Sequence, residues 1–199
     1  LNVKGICSPF CEQRGRDSLS APKNPWKTLG VKSIYENPWL RLEEHDVINP
    51  AGGKNLYGKI CFLNQAVGVI PLDEAGNTWL VGQHRYTLND YSWEIPEGGS
   101  PLGEDPMETA RRELREETGL IAQDIQLLLS LHTSNSVTDE AGFIYVAKGL
   151  ELRETEHEDT EDITVRKLPL EEAIDMAIKG NITDAMSLAG LYRLAIDIR

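Results

Sequence analysis

Three glutamates, Glu113, Glu116 and Glu117, close the run from Gly98 to Gly119 and are spaced to share one edge of a helix at about 100° per residue. Glu113 and Glu117 stand one turn apart, and like charges at that spacing cost a few tenths of a kcal/mol in a bare helix. A bound divalent cation removes the penalty, and a donor set made only of oxygen favours Mg²⁺ or Mn²⁺ over Zn²⁺. The competing reading is a solvated acidic face relieved by Arg111, Arg112 and Arg115. A glycine-bearing loop at fixed spacing before the helix, Gly98 to Glu104, favours the metal.

The helix that must carry these acids has its own start and stop signals. Asp105 is a good N-cap, Pro106 suits the first helical position, and Glu108 sits where a capping box wants its acid. Gly119 can take the positive φ of a C′ residue, so the spacing predicts a helix over residues 106–118. Met107, Ala110, Leu114 and Thr118 fall on one stripe and form the side expected to pack on a core.

The full run is G-x5-E-x7-R-E-U-x-E-E-x-G-U, with U aliphatic, read from Gly98, Glu104, Arg112, Glu113, Leu114, Glu116, Glu117, Gly119 and Leu120. Seven single-type positions at roughly 7% each and two aliphatic ones make chance odds on the order of 10⁻⁹ at a given start. The run resembles the Nudix box, the metal-binding loop–helix–loop of enzymes that cleave nucleoside diphosphates linked to another moiety. Gln83-His-Arg85-Tyr86, Ser92-Trp93-Glu94-Ile-Pro-Glu97 and the tail Gly180-Asn-Ile-Thr-Asp184-Ala-Met-Ser-Leu188 look like the ADP-ribose pyrophosphatase and nucleotide-sugar hydrolase branch.

The resemblance implies that Glu113 and Glu117 ligate Mg²⁺, that the backbone carbonyl of Glu97 adds an oxygen, and that Glu116 completes the cluster directly or through water. It places Arg85 near the diphosphate, where a guanidinium bridges two phosphate oxygens. Glu94 alternates with Trp93 and Ile95, so it is expected on the sheet face that receives substrate, partnered by a ribose or a coordinated water. In that branch the general base is a glutamate in a loop before the last strand. Here Glu161 matches, with Glu158 as runner-up, while His157 reads as an exposed loop residue. An N-terminal β-hairpin exchanged between two subunits is also implied, with aromatics clamping the base. Trp39 and Tyr57 are the substrate-binding candidates alongside Trp26 and Tyr35, and taken singly each suits packing or a dimer interface better than base stacking. Arg112 is expected to hold the box loop through Glu104 or a backbone carbonyl. One departure stands out. Thr133-Ser-Asn135-Ser-Val137-Thr-Asp139-Glu140 keeps the branch's Asp-Glu pair but lacks its preceding proline, which opens the substrate range from ADP-ribose to sugar nucleotides.

Composition sets the bounds. At 199 residues and 40% hydrophobic content the chain can build one ordinary core. A net charge of −12 disfavours a nucleic-acid surface and makes a polyanionic substrate depend on metal and local arginines. No apolar run reaches the ~18–20 residues of a membrane span. Cys7, Cys11 and Cys61 form no paired zinc spacing and suit a reducing, cytoplasmic setting. Residues 1–22 read as a disordered or expression-derived leader, and 23–199 as a single domain that opens with a β-hairpin region.

Strands are expected at 33–35, 40–48 and 56–63, the last two joined as a hairpin by Asn49-Pro-Ala-Gly-Gly53. A second hairpin is expected from 66–72 and 78–86 across Asp73 to Asn77. Strands at 125–131, 143–148 and 163–167 follow, then helices at 170–179 and 184–198. Strands around one central helix with a helical C-terminus give an α+β class, and the resemblance implies an α/β/α sandwich around a mixed sheet. The function expected is Mg²⁺-dependent cleavage of ADP-ribose or a nucleoside diphosphate sugar to a nucleoside monophosphate and a sugar phosphate. The alternatives are a silent nucleotide-binding sensor, or a Nudix enzyme for another nucleoside diphosphate derivative.

Overall fold

The structure is a computed structural model and describes residues 22–153 and 162–198. The described chain forms two compact units. The first holds residues up to Leu63 together with Ser134–Ala141. Its sheet is β1 (Lys27–Glu36), β2 (Leu40–Ile48) and β3 (Lys54–Phe62), in antiparallel order β1-β2-β3. The Asn49 side chain accepts from the amides of Ala51 and Gly53, which closes the β2–β3 hairpin as its turn residues dictate. Strand β1 is longer than the expected 33–35 because it pairs with β2 along nearly its whole length. The segment 134–141 docks on β3: Ile60 donates to the Val137 carbonyl at 2.9 Å, and Lys59 pairs with Asp139 at 2.6 Å.

The second unit carries the helices. Its mixed sheet runs β7 (Glu97–Pro101), β4 (Asn64–Pro71), β9 (Ala141–Leu152), β8 (Leu120–His132), with β4–β7 antiparallel and β4–β9 parallel. A smaller antiparallel sheet runs β10 (Thr164–Pro169), β5 (Asn77–Arg85), β6 (Asp90–Glu94). Helix α1 (Pro106–Thr118) packs on β4, β7 and β8; α3 (Ala185–Asp197) also packs on β4 and β8, and α2 (Leu170–Ile178) lies against β5 and β10. The α3 side of the core holds Ile70, Ile144, Met186 and Leu191. Val67 and Val69 alternate to the other side of β4 and are fully buried. This is the expected α+β arrangement, with helices on a mixed sheet.

The second hairpin is not formed. The turn at Asp73 is tight, with Asp73 and Asn77 bonded at 3.0 Å, yet β4 and β5 belong to different sheets. Asp and Gly at such a turn dictate a chain reversal. The strands pair elsewhere instead: β4 with the distant β7 and β9, and β5 with the next strand β6 and the distant β10.

Candidate active site

Helix α1 begins and ends where its caps predict. Asp105 accepts from the Met107 amide at 3.0 Å, and Gly119 takes φ 70° while its amide reaches the Arg115 carbonyl. Ala110, Leu114 and Thr118 are buried as the stripe requires, while Met107 is half-buried. Thr109 is also buried and donates to Glu104 at 2.8 Å. Arg112 then stitches loop to helix. It meets Glu104 at 3.1 Å, donates to the Gly99 carbonyl at 3.1 Å and meets Glu113 at 3.0 Å.

Glu117 is 2% exposed, and its Oε2 accepts from the Glu97 amide at 2.9 Å, tying the helix to the start of β7. Gly98 follows because of Glu113: a Cβ at position 98 would overlap the Glu113 carboxylate. Glycine therefore lets a charged side chain lie against the strand backbone.

On the neighbouring sheet, Arg85 at the end of β5 and Glu94 at the end of β6 share a face. Arg85 Nε lies 3.0 Å from both Glu94 oxygens, and Nη2 bonds Glu94 again and reaches Glu97 Oε1 at 3.1 Å. Glu94 is 3% exposed, and its partner among the described residues is the Arg85 guanidinium on its own hairpin. The pairing holds the guanidinium charged, chiefly through Glu94, against the opposing effect of burial.

Glu97 is a strongly perturbed acid. Burial first, then Asp184, Glu94 and Glu117, push its carboxyl well above the ordinary carboxylate range, with Arg85 acting in the other direction. Its Oε2 is buried without a hydrogen-bond partner. An orphaned carboxylate oxygen among further carboxylates is the environment that a hard divalent cation relieves. The donors that fit are the Glu113, Glu116 and Glu117 carboxylates and the Glu97 carbonyl. Among the described residues no three acidic, histidine or cysteine side chains are already arranged as a cation cage. Glu113 and Glu116 flank Arg112, the latter at 3.7 Å, and Glu117 faces the Glu97 amide.

Thus Arg85, Glu94, Glu97 and Glu117 are brought together, with Glu113 and Glu116 along the same helix edge. Asp184, part of the tail motif, joins them electrostatically and caps α3 by accepting from the Ser187 amide at 2.7 Å. Trp39 and Tyr57 belong to the first unit. Trp39 is 65% exposed, whereas the Tyr57 hydroxyl donates to the Ser136 carbonyl and its ring meets Trp26 edge-on at 5.5 Å. Glu161, Glu158 and His157 lie outside the described residues.

Comparisons with known proteins identify the family. The NUDIX domain family matches residues 63–189, and the nucleoside diphosphate sugar hydrolase N-terminal domain matches 26–59. An ADP-ribose pyrophosphatase of Mycobacterium tuberculosis is 31% identical over 172 residues, 85% of this chain and 83% of the relative. A methanol dehydrogenase activator of Bacillus methanolicus is 32% identical over 85% of this chain and 92% of its own. A crystal structure of an ADP compounds hydrolase shares the fold at a TM-score of 0.78 and 22% identity, covering 87% of this chain and 94% of that one. The chain belongs to the Nudix hydrolase family.

Proposed function

We propose that the chain hydrolyses the diphosphate of ADP-ribose or of a nucleoside diphosphate sugar, with Mg²⁺ or Mn²⁺, to a nucleoside monophosphate and a sugar phosphate. The observation that carries the reading is the carboxylate group around Glu97, whose buried Oε2 lacks a hydrogen-bond partner beside Glu94, Glu117 and Asp184. The match of residues 26–59 to the nucleoside diphosphate sugar hydrolase N-terminal domain and the name of the mycobacterial relative support the substrate class.

Glu113, Glu116, Glu117 and the Glu97 carbonyl hold the cation. When bound, it supplies positive charge against the phosphoryl oxygens and makes water more acidic. Arg85, aimed by Glu94 and Glu97, donates to the diphosphate and offsets charge that grows as the bridging bond breaks. Glu161, close before β10, accepts the proton of the attacking water. Trp39 and Tyr57 contribute an aromatic surface for the base. Residues 23–199 act as one functional module in a reducing, cytoplasmic setting, and two copies form a homodimer. Leu29, Val31, Ile34 and Leu56, exposed on the β1–β3 sheet, support that association.

A second reading, a nucleotide-binding regulator, is favoured by the relative named as a dehydrogenase activator. It ranks below hydrolysis because Glu113, Glu116 and Glu117 are all retained. A panel of ADP-ribose, nucleotide sugars and dinucleotides with Mg²⁺, its products resolved by chromatography, separates the two. Monophosphate and sugar phosphate are the expected products, whereas binding without turnover on every compound favours the regulator.

A further inference from the structure

Residues Glu94 to Glu97 bridge the two sheets of the second unit, leaving β6 and entering β7 within two residues. Three backbone groups on this bridge have specific partners. The Pro96 carbonyl accepts from the Val69 amide at 2.8 Å, and the Glu97 amide donates to Glu117 at 2.9 Å. The Ile95 amide belongs to no strand ladder. It donates to Ser187 Oγ on the first turn of α3 at 2.9 Å. Both residues are wholly buried, so water cannot take over if the hydroxyl is lost. Ser187 is itself fixed through its own amide, bonded to the capping Asp184. The Ile95 side chain is seated on Gly68, where a Cβ would come within 2.6 Å of Cδ1. With side chain and carbonyl held from β4, the amide–hydroxyl bond fixes the remaining freedom of the bridge.

We propose that Ser187 is a positioning residue for the cleavage reaction: its hydroxyl holds the Ile95 amide, and so sets the Glu97 backbone against Glu117 and the Glu94 carboxylate against Arg85. The inference rests on Glu97 and Glu117 belonging to the cleavage site. Ser187 touches no reacting atom; it acts through the Ile95–Glu97 backbone. Outer-shell partners of this kind typically carry about 10–100-fold in metal affinity or activity.

The test compares Ser187→Ala, Ser187→Cys, Ser187→Thr and Glu117→Gln in the full chain, each checked for folding by circular dichroism. Two quantities are read: the Mn²⁺ dissociation constant by electron paramagnetic resonance without substrate, and kcat at saturating Mg²⁺. Ser187→Ala is expected to bind Mn²⁺ about tenfold more weakly and to lose a similar factor in kcat. Ser187→Thr, which keeps an oxygen on Cβ, is expected to recover most of both. Ser187→Cys, a poorer acceptor of similar size, falls between and carries the test if the alanine variant does not fold. Parent-like Mn²⁺ affinity and kcat in the folded alanine or cysteine variant overturn the proposal. So does equal impairment of the alanine and threonine variants, because packing would then be the cause. Glu117→Gln separates the two levels. If it keeps Mn²⁺ binding and turnover, the site itself is misread; if it loses both while Ser187→Ala loses neither, only the role of Ser187 fails.

Discussion

Removing Arg85 should cost far more stability than removing the charge of Glu94, although the two share one ion pair. The asymmetry comes from burial: the Glu94 side chain is 4% exposed and that of Arg85 35%. In Arg85→Ala, a carboxylate stays buried beside Glu97 without its guanidinium, the situation that costs about 3–5 kcal/mol. In Glu94→Gln, an amide oxygen still accepts from Arg85, and the guanidinium retains Glu97 and access to water. That loss is that of one charge-assisted contact, about 1–2 kcal/mol. For a chain of this size each kcal/mol moves Tm by roughly 2–4 °C. Arg85→Ala is therefore expected to melt about 10 °C below the parent and Glu94→Gln about 4 °C below. The Arg85→Ala, Glu94→Gln double variant should recover part of the larger loss, since no unpaired charge remains at position 94. Thermal and urea unfolding of the four proteins measure the cycle. If Glu94→Gln is the more damaging substitution, or the double variant shows the simple sum, the buried-charge argument is refuted.

Gly98→Ala is expected to fold but to lose about 10–100-fold in metal affinity or turnover, because the added Cβ pushes the Glu113 carboxylate off the strand; Mn²⁺ titration and kinetics check it. Glu43, in the first unit, is held at a pKa of about 2 by His45 and then by Arg41, below its unfolded value of 4.5. A depressed acid contributes stability fully present above pH 4.5 and lost as pH falls towards 2. Urea unfolding against pH should show that slope, and Glu43→Gln should flatten it. Glu161→Gln should lower kcat by roughly 10²–10⁴-fold with little change in KM, whereas Glu158→Gln should do much less; steady-state kinetics showing the reverse order would move the base to Glu158, and activity retained in both would move it to Glu116.

The parts of the fold that were legible carry their instructions locally. Asp105, Pro106 and Gly119 mark both ends of α1, and Asn49 closes the β2–β3 turn with its own side chain. Strands β6 and β7 are absent from the sequence expectation because each has five residues, too few for a period to emerge, and only Ile95 and Pro96 divide them. The β4–β5 discrepancy has a different origin: a turn motif records where the chain reverses and does not record which strands then pair. In the candidate site, the acids of α1 and Gly98 stood out by spacing alone. The Arg85–Glu94 pair did not, although Arg85 and Glu94 occupy the same face of one hairpin once the Val81–Glu94 register is known. Asp184 and Ser187 depend on how α3 returns to the sheet, and a capping pattern by itself does not reveal that path.

The central claim is that this chain cleaves a diphosphate at a cation held by the α1 carboxylates. Its most direct test is to incubate ADP-ribose with the parent and with Glu117→Gln, each with Mg²⁺ and with EDTA, and to quantify AMP and ribose 5-phosphate. The parent should form both products in equal amounts with Mg²⁺ and neither with EDTA, with Mn²⁺ or Mg²⁺ restoring them, and Glu117→Gln should be slower by orders of magnitude while melting near the parent. Turnover that persists in EDTA, or a Glu117→Gln protein as active as the parent at saturating Mg²⁺, would contradict it.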